Sequence, residues 1–101
     1  MTCGPGWAFA QNTPFRRFKT WLHEGGIATP MIVRWPTQIA PNTVSPQVCH
    51  IIDLMPTFLE VAQGAYPTQY RGRPIIPCEG VSLTPIFSRQ ALPGSRVLWW
   101  E

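Results

Sequence analysis

Charge is what this sequence has least of. Lys, Arg, Asp and Glu make up 13% of its 101 residues, against about 25% in a typical soluble domain. So little charge leaves much surface suited to being covered, which points to a fragment of a larger domain and not to a free monomer. Basic residues number 8 and acidic residues 5, giving a net charge of +3. That is too mild to mark a nucleic-acid binder. Aspartate occurs once, as Asp53. No apolar run approaches the ~20 residues of a membrane span. No basic segment leads into an apolar one at the N-terminus, so no secretory leader is visible and the compartment stays open. Cys3, Cys49 and Cys78 are odd in number and lack C-x-x-C spacing. They supply neither a disulfide framework nor a zinc site.

Low charge does not make the chain disordered. Disorder goes with low hydrophobicity and high net charge, whereas 45% of these residues are hydrophobic. The 12 prolines are about twice the average share. They are scattered between apolar runs, as punctuation between short elements that pack on a larger body.

Residues 1–14 are rich in Gly, Pro and small polar residues and predict a loop. Phe15 to Glu24 is amphipathic and ambiguous, and Gly25-Gly26 is expected to end it. Met31 to Trp35, bracketed by Pro30 and Pro36, predicts a short buried strand. Residues 36–47 form a loop with three prolines. The clearest helix runs from Asp53 to Gln63. Asp53 is its expected N-cap, Pro56 falls in the first turn, and Gly64 is the expected stop. Leu54, Met55, Phe58, Leu59 and Ala62 recur at helical spacing and predict its buried face. Residues 65–80 predict another loop. Ser82 to Ser88 predicts a short helix capped by Ser82, with Pro85 in its first turn. Val97 to Glu101 has strand composition, with Trp99 and Trp100 alternating between core and surface. An ending inside an apparent strand gives the chain a truncated look.

The informative stretch is 12–30. It sets Arg16, Arg17 and Lys19, with His23, close to a double glycine. Lys19 lies between Phe18 and Trp21, so its stem can pack and its ammonium be aimed. A compact cation with three donors suits a tetrahedral oxyanion. At ~4 Å and an effective dielectric near 20, such a pair is worth about 4 kcal/mol before desolvation. The residues alone also allow Lys19 as an ordinary solvated lysine in a basic cluster. They allow His23 to line a cleft or be structural, and Asn12 to line a pocket or serve a turn. Glu24 can anchor the loop by hydrogen bonding or act as a base, and Arg16 and Arg17 can partner carboxylates or an anionic substrate.

The wording of the sequence narrows this. Gly4-Pro5-Gly6-Trp7-Ala8 and Asn12-Thr13-Pro14-Phe15-Arg16 come first. Lys19 follows, five residues before Glu24-Gly25-Gly26. Then come Pro30 to Pro36, His50 to Thr57, Glu79 to Leu83 and Leu98 to Glu101. In that order, and over essentially the whole chain, these segments resemble the arylsulfatase branch of the sulfatases. The resemblance implies an α/β fold, here a fragment of an alkaline-phosphatase-like mixed-sheet sandwich ending at the start of the C-terminal subdomain sheet. Residues 1–30 would be a loop and substrate-side segment, 31–64 a strand and helix, and 65–101 a loop, a short helix and the first subdomain strand. It implies a sulfate ester substrate, a calcium ion held by Asp and Asn side chains, and a formylglycine nucleophile made within a C/S-x-P-x-R motif. It implies that Lys19 contacts the sulfate, with His23 and Asn12 as lesser candidates for the pocket.

The departures set the expected limits. No cysteine here stands in C-x-P-x-R; Cys3 has Pro5 two residues on but Trp7 where Arg belongs. No Asp and Asn cluster stands at the spacing needed to give calcium its 6–8 oxygen ligands. Nucleophile and metal site are therefore expected upstream of residue 1, on a missing N-terminal part against which this segment packs. Alone, the chain is expected to be inactive. The alternatives are a non-catalytic truncated product or an anion-binding module, and, more remotely, a nucleic-acid contact through the 16–21 cluster.

Overall fold

The computed structural model describes residues 4–94 and 96–99. Cys3, Trp100 and Glu101 lie outside the described residues. The chain divides into two compact units, residues 4–33 with 97–99, and residues 34–94 with Arg96. Among the described residues no helix is long and apolar enough to cross a membrane.

The first unit opens on a helix, α1, Gly4–Asn12, where a loop was expected. Its glycines and proline fall in the first turn, where Pro5 removes no helical hydrogen bond. Good helix formers, Ala8, Ala10 and Gln11, follow. Asn12 Nδ2 donates to Ala8 O at 2.7 Å and Thr13 Oγ1 to Phe9 O at 3.1 Å. These bonds satisfy carbonyls that the helix end leaves open. The Phe9 and Phe18 rings meet edge to face with centroids 5.0 Å apart. A cis Thr13–Pro14 bond leads into turns that occupy most of the ambiguous stretch after Phe15. A one-turn helix, α2, Glu24–Ile27, then forms. Gly25-Gly26 thus lies inside a helix instead of ending the stretch before it.

Met31 to Trp35 is neither paired nor buried; Ile32 is 94% exposed. The composition is that of a strand, but a ladder needs a second strand to take its amides and carbonyls. Among the described residues none is provided. The same holds for 97–99, where Trp99 is 86% exposed.

The second unit is organised by the helix that sequence periodicity predicts. A 3-10 turn, Ile51–Asp53, feeds α3, Leu54–Val61. Leu54 and Leu59 are half-buried, but Met55, Phe58 and Ala62 are exposed. The apolar stripe is present, yet among the described residues it is covered only in part, at Leu54 and Leu59. The residue buried in α3 is Thr57. Its hydroxyl donates to Asp53 O at 2.6 Å and accepts the Leu83 N–H at 2.9 Å. Among the described residues of this unit, Leu83, 1% exposed, is the fully buried apolar side chain. Trp35 and Phe87 pack edge to face at 6.2 Å.

Asp53 occupies the expected N-cap position of α3, but its side chain makes no cap bond there. Oδ2 accepts the His50 N–H at 2.8 Å and Oδ1 the Val81 N–H at 3.0 Å. Both oxygens also take the Arg96 guanidinium, at 2.7 and 2.9 Å. Asp53 therefore ties three separate stretches of chain together. Its competitor for the capping role is distance: Arg96 stands 43 residues away, beyond any local pattern.

Gly64 does not supply the left-handed residue that stops α3. Gln63 does, at φ 53°, with Gln63 N–H to Glu60 O at 3.1 Å and Gly64 N–H to Leu59 O at 2.8 Å. That is a Schellman arrangement with its glycine one position late. Gln63→Gly is accordingly expected to stabilise the chain by about 0.5–1 kcal/mol, since an L-residue is penalised there. A thermal melt showing no rise would refute it. The expected loop at 65–80 holds a small hairpin, β1, Gln69–Tyr70, against β2, Arg73–Pro74. Arg71 and Gly72 both have positive φ, as a type I′ turn requires. The last short helix, α4, is Thr84–Phe87 with Pro85 in its first turn. Its N-cap is Leu83; Ser82 Oγ instead accepts the Thr84 N–H at 3.2 Å.

Candidate functional site

Lys19 lies in the loop between α1 and α2, and the backbone around it is unusual. Arg17 has φ 69° and Thr20 φ 88°. Left-handed angles cost an L-residue about 1–2 kcal/mol, and for a β-branched threonine they are a genuine outlier. Such residues persist where the surroundings over-determine them, and they gather at functional sites. Lys19 stands between the two. It is exposed, and among the described residues it has no ion-pair partner. Its ammonium is thus available to an external anion.

Trp21 organises one side of the loop. The Arg17 guanidinium stacks 4.4 Å from its ring centre, a cation–π contact that holds the arginine in place. The His23 ring meets Trp21 edge-on, with centroids 6.2 Å apart. His23 is also the N-cap residue of α2, its carbonyl accepting the Gly26 N–H at 2.7 Å and the Ile27 N–H at 3.2 Å. Its Nδ1 is buried without a hydrogen-bond partner. Asn12 spends one amide hydrogen on Ala8 O, so its side chain finishes α1.

Beneath the loop lies α2. Gly25 is buried, and its N–H donates to Arg16 O at 2.9 Å. A Cβ added to Gly25 would collide with Arg17 O and lie 2.7 Å from Arg16 O. One added to Gly26 would collide with Trp21 O and lie 2.8 Å from Phe18 O. The sequence marks these glycines as punctuation. Their close approach to another stretch of backbone is legible only as the fixed spacing between Lys19 and Glu24-Gly25-Gly26.

Lys19 and His23 therefore share one loop, built around Trp21 and seated on α2, while Asn12 closes the helix before it. The left-handed backbone of Arg17 and Thr20 and the stacking of Arg17 on Trp21 are not among the roles the sequence suggests, which offers Trp21 only as a packing neighbour of Lys19. The alternating aromatic and basic residues of 15–21 were the one available signal.

Comparison with known proteins bears on what such a loop is for. Residues 15–91 match the family model described as N-sulphoglucosamine sulphohydrolase, C-terminal. An uncharacterized sulfatase of Schizosaccharomyces pombe is 38% identical over 74 residues, 72% of this chain and 13% of that protein. An ulvan-active sulfatase of Formosa agariphila is 38% identical over 52 residues, 52% of this chain and 10% of that protein. Arylsulfatase G of Homo sapiens is 29% identical over 93 residues, 92% of this chain and 16% of that protein. The chain thus spans between 10% and 16% of the lengths of these relatives. No solved structure gives a significant match. With the family model covering most of its length, the chain belongs to the sulfatase family, as a C-terminal portion.

Proposed function

We propose that this chain is the C-terminal part of the catalytic domain of a sulfuric ester hydrolase, in which Lys19 binds the sulfate group of the substrate. The observation that carries the reading is the exposed, unpaired ammonium of Lys19, held between two left-handed residues. In that position it neutralises charge on the transferring sulfuryl group and on the leaving oxygen. Electrostatic groups already in place before reaction are among the largest contributions to catalysis. His23 and the remaining amide hydrogen of Asn12 are assigned lesser parts beside it. The parent fold is the alkaline-phosphatase-like α/β sandwich. The unpaired 31–35 segment and the exposed part of the α3 face are its contact surfaces with the preceding part of the domain.

Sulfatase membership implies a calcium ion and a formylglycine, and the residues of this chain fit neither. The only aspartate, Asp53, has both oxygens committed to Arg96, Val81 and His50. Among the described residues no three His, Cys, Asp or Glu side chains gather as a metal site. Neither Cys49 nor Cys78 stands in C-x-P-x-R. Burial, and after it the nearby Asp53 charge, push the Cys49 thiol up from its ordinary value, which is the opposite of an activated nucleophile. Nucleophile and metal are assigned to the part of the protein outside this chain, and this chain alone is inactive.

Sequencing upstream of the Met1 codon tests the assignment. A C/S-x-P-x-R motif and an Asp-Asn metal pair are expected in the same reading frame. An intact parent gene lacking both would overturn it. Sulfate titration of the isolated chain separates the alternative: folded protein with Lys19-dependent binding marks an anion-binding module.

A further inference from the structure

We infer that Gly25 and Gly26 are positioning residues for Lys19, an inference that rests on the sulfate-binding reading above. The geometry is a backbone-on-backbone seat. Four carbonyls approach the positions where side chains of these two residues would begin: Arg16 and Arg17 at Gly25, Phe18 and Trp21 at Gly26. They belong to residues on both sides of Lys19. The Gly25 N–H bonds to the first of them at 2.9 Å. Gly25 and Gly26 do not need a left-handed backbone; neither has positive φ. What each position requires is the absence of a Cβ, because any other residue drives carbonyl oxygens away.

This seat explains why the loop tolerates Arg17 and Thr20 in left-handed angles. Backbone held in costly conformations needs surroundings that leave no alternative. Here the seat packs against the backbone of residues 16, 17, 18 and 21, which bracket residues 19 and 20 on both sides. Lys19 then presents its ammonium from a fixed Cα instead of a mobile loop. A positioned group contributes far more to binding and reaction than one that must be ordered each time.

The test is a double-mutant cycle in the intact sulfatase polypeptide that contains this segment, with inorganic sulfate as the probe. Sulfate dissociation constants and melting temperatures are measured for the parent protein, Lys19→Ala, Gly26→Ala and the double variant. Lys19→Ala is expected to weaken sulfate binding about tenfold or more, the scale of one charge-assisted hydrogen bond. Gly26→Ala should weaken it comparably, and the double variant should be no weaker than Lys19→Ala alone. Losses that multiply, or full binding by Gly26→Ala, would overturn the positioning role. Unchanged binding by Lys19→Ala would instead overturn the sulfate-binding reading itself. Because Gly26→Ala can fail by misfolding, Thr20→Gly supplies an independent arm. It relieves the left-handed threonine, so its melting temperature should rise while sulfate binding weakens. A rise with unchanged binding would sink the inference.

Discussion

Lys19→Ala in the intact sulfatase is expected to lower turnover of a sulfate ester by about 10²–10³-fold, the usual consequence of removing one preorganised electrostatic group. The melting temperature should stay within about 2 °C of the parent, because the side chain is exposed and exposed substitutions away from special features change stability little. Lys19→Arg keeps the charge but replaces a compact ammonium by a planar fork, and should recover only part of the loss. The comparison of turnover with thermal stability decides the matter. Parallel loss of both would make Lys19 a structural residue.

Asp53→Ala is expected to be the most damaging stability change in the second unit, costing about 3–5 kcal/mol, as breaking a buried ion pair does. Asp53 is fully buried and Arg96 19% exposed. The alanine variant leaves a guanidinium poorly solvated and removes the carboxylate that accepts the Val81 and His50 N–H groups. Against a typical domain stability of about 5–15 kcal/mol, that is a large share. Asp53→Asn should be little better, since its amide nitrogen would face an N–H donor or the guanidinium. Denaturant titration of Asp53→Ala, Arg96→Ala and the double variant checks this. The double should cost clearly less than the two singles added together.

Acidity should expose the same pair. Burial on its own raises the Asp53 pKa, but the Arg96 guanidinium and the Val81 and His50 N–H groups outweigh it and hold the carboxyl below its ordinary 3.8. With the folded value below the unfolded one, the stabilisation is complete above the unfolded pKa. It declines as pH falls below about 4, where the unfolded chain takes up its proton first. Unfolding midpoints should therefore drop on acidification from pH 5 in the parent. The drop should be much shallower in the Asp53→Ala variant, and equal slopes would contradict the assignment.

What could be read from the sequence follows how local each cause is. The α3 helix was legible because Leu54, Phe58 and Leu59 recur within two turns, and Pro56 marks the first. Even so, the periodicity reported which face is apolar and not whether anything covers it. Met31 to Trp35 shows the complementary failure. Its strand composition is unmistakable, yet a strand is a relation between two segments. Asp53 stood out as the single aspartate and drew the commonest local role; its counter-ion was far outside any window. At the candidate site, Lys19 was found through its spacing to Glu24-Gly25-Gly26. The glycines themselves read only as the end of the preceding stretch, because contact between backbones leaves no mark in composition. The left-handed Arg17 and Thr20 could not have been foreseen, since neither residue type favours that angle.

The Asp53–Arg96 pair also sets where this polypeptide tolerates being cut. Arg96 follows the last helix by nine residues and comes after the bend at Pro93-Gly94, a place where a boundary would ordinarily be drawn. A version trimmed at Gly94 would keep every helix and the hairpin, but strand a carboxylate in the interior with no cation to meet it. Protease mapping or expression trials should find the shortest soluble form of this segment ending beyond Arg96, however dispensable the final residues look.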